Sequence, residues 1–185
     1  GTILMISDCS GADVFQNRAN ANAHNVTRGA SNSNPGPGNV NPGHYNFSHR
    51  YESDAEIYTV AVTVFYIGIS AGGEPALYQI SYDMGSAGTP VALVEGVENM
   101  QLLYGIDLNG DDVPEQYVTA AALGGNADRV RTIRLGLLLR SFAKVDKDSV
   151  ISSYDLLGTT LTTPNDGRNR SVLTTTVKLR NRGQM

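Results

Sequence analysis

Tryptophan is absent, cysteine occurs once and charged residues make up only 17% of the 185 residues. With Cys9 alone, no internal disulfide can form and the redox compartment cannot be read from cysteine pairing. A partner thiol upstream of Gly1 and a buried unpaired thiol both remain open for it. No run of 18 apolar residues exists, so the chain as given is expected to span no membrane, and no secretory leader precedes Gly1. A net charge of −4 lacks the concentrated positive excess that phosphate neutralisation demands, which argues against nucleic acid as a partner. No G-x-S-x-G elbow and no glycine-rich phosphate loop is found. His24, His44 and His49 offer one close pair, five residues apart, where zinc requires tighter patterns with further His or Cys. No enzyme activity is expected.

The length suits one domain, residues 1–185, and 41% hydrophobic content suffices for a core without staples. Twenty glycines and seven prolines, with so few charges, point to turns and short strands. Residues 2–6 read as a buried strand. From 10 to 50 the chain turns to Asn, Gly, Ser and Pro, including SNSNPGPGNVNPG over 31–43, and a long loop is expected because too little apolar surface offsets the ordering entropy. Residues 56–69, EIYTVAVTVFYIGI, are apolar on both faces and predict a central strand covered on both sides. The turn over 70–75 then predicts a hairpin to a strand over 76–82.

The organising stretch is 93–117, LVEGVENMQLLYGIDLNGDDVPEQY. A turn at Glu95 and Gly96 and a strand over 98–106 are predicted, followed by an acidic loop. Asp107, Asn109 and Asp111 stand at alternate positions, short oxygen-bearing side chains that converge if the loop curls. Calcium is the candidate cation, with Glu115 as a fourth ligand from another direction. The match to the helix-flanked calcium loop is partial, since Asp112 occupies the place of its glycine and Val118 that of its glutamate. The competing reading is a hairpin connection whose Asp and Asn side chains bond their own backbone. The acidic pairs Asp111–Asp112 and Glu95/Glu98 read as solvated surface carboxylates.

Beyond this loop, 117–123 predict a turn of helix stopped by Gly124 and Gly125. Residues 129–141 predict a strand with Ile133, Leu135, Leu137 and Leu139 inward and Thr132, Arg134 and Gly136 outward, although Leu138 breaks the polar face. Residues 144–170 read as an exposed connection with few buried members, and 172–179 as the closing strand. Lys178, Arg180 and Arg182 alternate at its end, as a solvated edge-strand face would. About six strands result, several apolar on both faces, yet no amphipathic helix long enough to cover them. An N-terminal helix missing from this fragment would resolve the imbalance.

LVEGVENMQLLYG followed by D-x-N-x-D-D, then RTIRLGLLLRS over 131–141 and RSVLTTTVKLRN over 170–181, resembles the PilW family of minor pilins from bacterial type IV pili. The resemblance implies an α+β pilin-like fold: an antiparallel sheet head packed on an N-terminal helix that is absent or truncated here. It implies a minor pilin that takes part in initiating pilus assembly at the tip, through contacts with other minor pilins and the major pilin, and in some systems with a large tip adhesin. The implied location is the inner membrane facing the periplasm before assembly and the extracellular pilus tip after it, with the membrane reached only through the missing helix. No cofactor is required, calcium being the one candidate. A J-type pseudopilin of type II secretion and a calcium-stabilised extracellular adhesion or carbohydrate-binding module are the alternatives.

Overall fold

The structure, a computed structural model, describes residues 2–20, 22–29, 38–39, 47–83, 86–145 and 152–180. Most of the segment 31–43, His44 and Arg182 lie outside the described residues. Among the described residues thirteen strands follow one another: β1 (Ile3–Ser7), β2 (Ala12–Gln16), β3 (Glu56–Thr59), β4 (Val62–Ile69), β5 (Pro75–Asp83), β6 (Ser86–Ala87), β7 (Val91–Glu95), β8 (Val97–Ile106), β9 (Gln116–Val118), β10 (Val130–Arg140), β11 (Ser153–Leu156), β12 (Thr159–Thr162) and β13 (Arg170–Lys178). Among the described residues, helix is confined to two short 3-10 turns, Ala120–Ala122 and Ala127–Arg129. The chain is therefore strand-rich, with almost no helix among the described residues, and the printed strand pairings are antiparallel.

The strands outnumber the predicted six because turns divide the long apolar runs and build strands inside presumed loops. Two compact units form, Gly1–Phe65 with Gln79–Val91, and Tyr66–Tyr78 with Ala92–Met185.

In the first unit β1 lies between β2 and β3. β2 corrects the expectation of an unbroken loop over 10–50. The Asp8 carboxylate accepts the amides of Ser10 at 2.7 Å and Gly11 at 3.0 Å, which closes a tight turn and returns the chain along β1. Phe15, only 3% exposed, then packs edge-on against Phe47 at 5.2 Å. Cys9 is exposed in this turn, so the buried-thiol reading fails. The expected central strand over 56–69 is also overturned: it breaks into β3 and β4, each at the edge of its sheet, and every residue of β3 is exposed. Apolar alternation on both faces records what a strand can bury, not what has been placed over it. The predicted hairpin after residue 70 is present as β4–β5.

The second unit is built on a sheet of order β13-β10-β8-β9 with the β11–β12 hairpin. β7 enters through a tight turn at Gly96, whose φ of +83° suits glycine and whose added Cβ would lie 2.9 Å from the Arg140 carbonyl oxygen. Gly96 donates to the Pro75 oxygen at 2.6 Å and accepts from the Arg140 amide at 2.8 Å, tying three segments together.

The faces of β10 are the reverse of the sequence expectation. Thr132, Gly136 and Leu138 are buried, while Ile133, Leu135, Leu137 and Leu139 are only half-buried. The reason lies in residues 144–170, which are not merely an exposed connection. They fold into β11 and β12 and place Leu156, fully buried, against Gly136, where a Cβ would come within 2.9 Å of the Leu156 side chain. A glycine outward on the sequence pattern is thus a site of close approach. The turn predicted over 117–123 is divided between β9 and the first 3-10 turn.

Candidate functional site

Residues directly opposed in a sheet share a face, so the register defines what the second unit leaves open. One row runs Tyr104, Ile133, Val177; the next Leu102, Leu135, Thr175; the third Met100, Leu137, Leu173. Leu173 and Val177 are 52% and 53% exposed, Leu102 is 37% exposed, and the remaining apolar members are half-buried. At one end Tyr104, Leu123, Ala127, Val130, Ile133 and Leu179 line a depression of about 260 Å³. The other face is covered over β10: Leu156 lies on its middle, and Tyr117 receives the Thr132 hydroxyl at 3.2 Å and the Arg134 guanidinium over its ring at 3.7 Å, while its β13 members Val172, Thr174 and Thr176 are exposed. An apolar sheet with one covered and one open face is suited to association through the open one.

The acidic loop follows β8 directly. Asp107 is 2% exposed; its oxygens accept the amides of Gly110 at 2.6 Å and Asp112 at 3.0 Å, and Arg131 Nε lies 3.2 Å away. Burial pushes its carboxyl up, but these amides and Arg131 outweigh that and hold it below the ordinary aspartate range. Asp111 accepts the Val113 amide at 2.9 Å and the Asn109 amide group at 3.2 Å, and Glu115 accepts the Leu108 amide at 2.7 Å. Asp107, Asp111 and Glu115 each bring one carboxylate oxygen within 4.8 Å of the others, whereas Asn109 turns its nitrogen to Asp111 and its oxygen to the Asp111 amide. The three carboxylates among the four predicted ligands therefore converge. Asp112 is not a solvated surface carboxylate: Arg131 lies at 3.0 Å and Lys178 at 2.8 Å.

Sequence reading missed an ionic cluster at the opposite end of β8 and β10. Arg140 reaches Glu74 at 2.6 Å and Glu98 at 3.2 Å, Arg168 reaches Glu74 at 3.0 Å, and Arg170 joins Glu98 at 2.6 Å to Asp166 at 2.8 Å. Glu98 is therefore held by two guanidiniums, correcting its reading as a solvated carboxylate. Arg170 raises no such suspicion in the sequence, because its partners lie 4 and 72 residues away. In the first unit, His49 bonds Asp8 at 2.8 Å, and Ser48 and Tyr51 bond Asp13 at 2.8 and 2.9 Å, fastening residues 48–51 to the β1–β2 hairpin. This His49 pairing was not foreseen either.

The architecture defines a class first, a strand-built head whose principal sheet is covered over β10 on one face and open on the other. Residues 64–181 match the family described as PilW, Type IV Pilus-assembly protein W. The match covers well over half of the chain, and the chain belongs to that family. No curated protein and no solved structure matches it. Membership supports a role related to type IV pilus assembly and interaction with other pilus components. Among the described residues no helix is long and apolar enough to cross a membrane.

Proposed function

We propose that this chain is the globular head of a minor pilin that helps initiate type IV pilus assembly at the pilus tip, by contact with other minor pilins and the major pilin. The observation that carries the reading is the open face of Met100, Leu102, Tyr104, Ile133, Leu135, Leu137, Leu173 and Val177. An apolar helix from the chain upstream of Gly1 would cover it and complete an α+β pilin-like layer, because a sheet face of this composition gains about 25 cal/mol for each Å² of apolar surface removed from water. The same helix would hold the subunit in the inner membrane before assembly. The role is one of association and not catalysis.

The convergent oxygens of Asp107, Asp111 and Glu115 favour a second element of this reading, calcium as a structural ion in the acidic loop. The ion would restrain the loop that joins β8 to β9 without being required for the fold.

The test is the N-terminal sequence and intact mass of the protein isolated from its native source. A mature chain that begins with an N-methylated residue and a hydrophobic helix ahead of Gly1 is expected. A mature chain that begins near Gly1, or after an ordinary secretory cleavage, overturns the pilin reading and favours an adhesion module.

A further inference from the structure

β13 ends its sheet with an unusually bare edge. It pairs with β10 without a register shift over nine residues, Thr132↔Lys178 through Arg140↔Arg170. Just beyond the two ends, the Leu179 amide donates to the Arg131 oxygen at 2.8 Å and the Ser141 amide donates to the Asn169 oxygen at 2.8 Å. Backbone groups alternate sides along a strand, so Ser171, Leu173, Thr175 and Val177 turn theirs to β10. Arg170, Val172, Thr174, Thr176 and Lys178 turn theirs outward. Among the described residues no strand pairs with this outer edge, and residues 171–178 are all exposed.

Natural edges are commonly blunted by proline, a bulge or an inward-pointing charge. Between Ser171 and Val177 the sequence SVLTTTV has none of these and consists of residues that favour strands, serine and leucine apart. The charges stand only at the two ends, and both are already matched within the chain: Arg170 by Glu98 and Asp166, and Lys178 by Asp112.

We propose that the outer edge of β13 pairs with the β13 of a second copy of this chain, antiparallel and centred on Thr174. The strand is centred on that residue. Thr174 then faces its own counterpart, Val172 faces Thr176, and Arg170 faces Lys178, a like-charged pair whose members are each offset within their own copy by Glu98 and Asp166 or by Asp112; each is an outward-pointing position meeting another, so that every outward amide and carbonyl of the edge finds a partner. Leu173 meets Thr175 and Ser171 meets Val177 on the open face, giving apolar–threonine and small–branched neighbours and no buried charge. Four strands from each copy form one continuous sheet. A two-fold axis through Thr174 closes the contact, so two copies satisfy it and no filament propagates from it. This pairing needs neither the upstream helix nor calcium, and its test is independent of the pilin reading.

The seam is one strand wide and narrower than a standard protein interface of about 1,600 Å², so the association is weak and a covalent trap reads it best. In a Cys9→Ser background, Thr174→Cys is compared with Thr176→Cys under mild oxidation at high protein concentration. The two Thr174 positions form a hydrogen-bonded pair with Cα atoms about 5.5 Å apart, inside the range a disulfide spans. The two Thr176 positions are displaced by four residues, about 13 Å, and cannot be bridged. Disulfide dimers from Thr174→Cys and from a mixture of Val172→Cys with Thr176→Cys, but not from Thr176→Cys alone, are expected. Thr174→Pro removes one outward amide per copy without touching the β10 ladder and is expected to weaken dimerisation in sedimentation equilibrium about tenfold, with the melting temperature of the monomer retained. Equal crosslinking at all positions, or none while the cysteine variants remain folded, overturns the proposal; the second result would leave the edge to a strand from a different subunit.

Discussion

Arg170 grips Glu98 in a fork, Nε 2.6 Å from Oε2 and Nη2 2.9 Å from Oε1, and its side chain is only 2% exposed. The same guanidinium holds both oxygens of Asp166, at 2.9 and 2.8 Å. It thereby fixes where β13 begins against β8, which is not its neighbour in the sheet. Removing one partner of such a group leaves the others desolvated and unmatched. Arg170→Met is expected to destabilise the second unit by about 3 kcal/mol, lowering the midpoint of thermal unfolding by roughly 6–12 °C in scanning calorimetry. Arg170→Lys, which keeps the charge without the planar fork, is expected to recover only part of the loss.

The carboxylates of this cluster set its response to acid. Arg170 holds the Asp166 carboxyl far below the usual aspartate range, and Arg140, followed by Arg168, lowers that of Glu74. A depressed folded pKa contributes stability that is fully present above the unfolded value of about 4 and is lost as pH falls through the folded value. The melting temperature is therefore expected to fall steeply below about pH 4. In the double variant Glu74→Gln, Asp166→Asn the starting stability is lower and the acid slope shallower, as melts between pH 2 and pH 7 would record.

Leu137 and Leu138 are adjacent in the chain but occupy opposite faces. Leu138 is 3% exposed against the covered side, so Leu138→Ala is expected to destabilise by about 2–4 kcal/mol. Leu135 and Leu137 belong to the half-buried open face. Leu135→Thr is expected to change the stability of this chain by less than about 1 kcal/mol yet to reduce surface piliation in cells that express it. Chemical denaturation of the chain and pilus yield from cells carrying the variant separate the two effects.

Calcium at a concentration tenfold above its dissociation constant would stabilise the fold by about 1.4 kcal/mol, a rise in melting temperature of roughly 3–5 °C. Asp107 is a poor position for the test, because its carboxylate already orders the Gly110 and Asp112 amides whether or not an ion binds. Asp111 and Glu115 are exposed, so Asp111→Asn and Glu115→Gln are the informative variants. Loss of the calcium-induced shift in both is expected. A shift of unchanged size would remove calcium from this loop.

Strands with a strong apolar pattern were legible in the sequence: β1, β5, β8, β10 and β13, together with the turn at Gly96 and the hairpin between β4 and β5. So was the acidic loop, since Asp and Asn at alternate positions announce side chains that bond nearby backbone or a cation. β2 and the β11–β12 hairpin were not. Their strands are four or five residues long, and their strand character comes from partners: the Asp8 turn for β2, and for β11 the packing of Leu156 on Gly136. The ionic cluster was invisible because Glu74, Glu98, Arg140, Arg168 and Arg170 are ordinary charged residues until pairing of the strands brings them together.

Family membership and strand-rich character follow from the order of residues, because they rest on local spacing and on motifs in sequence. Which face of β10 is covered does not. Ile133, Leu135, Leu137 and Leu139 make the better apolar stripe, yet the chain spends Leu156 on the opposite side, where glycine at 136 lets another strand approach. Alternation with a period of two says that a strand has two faces; only packing with residues distant in the chain decides which of them meets water.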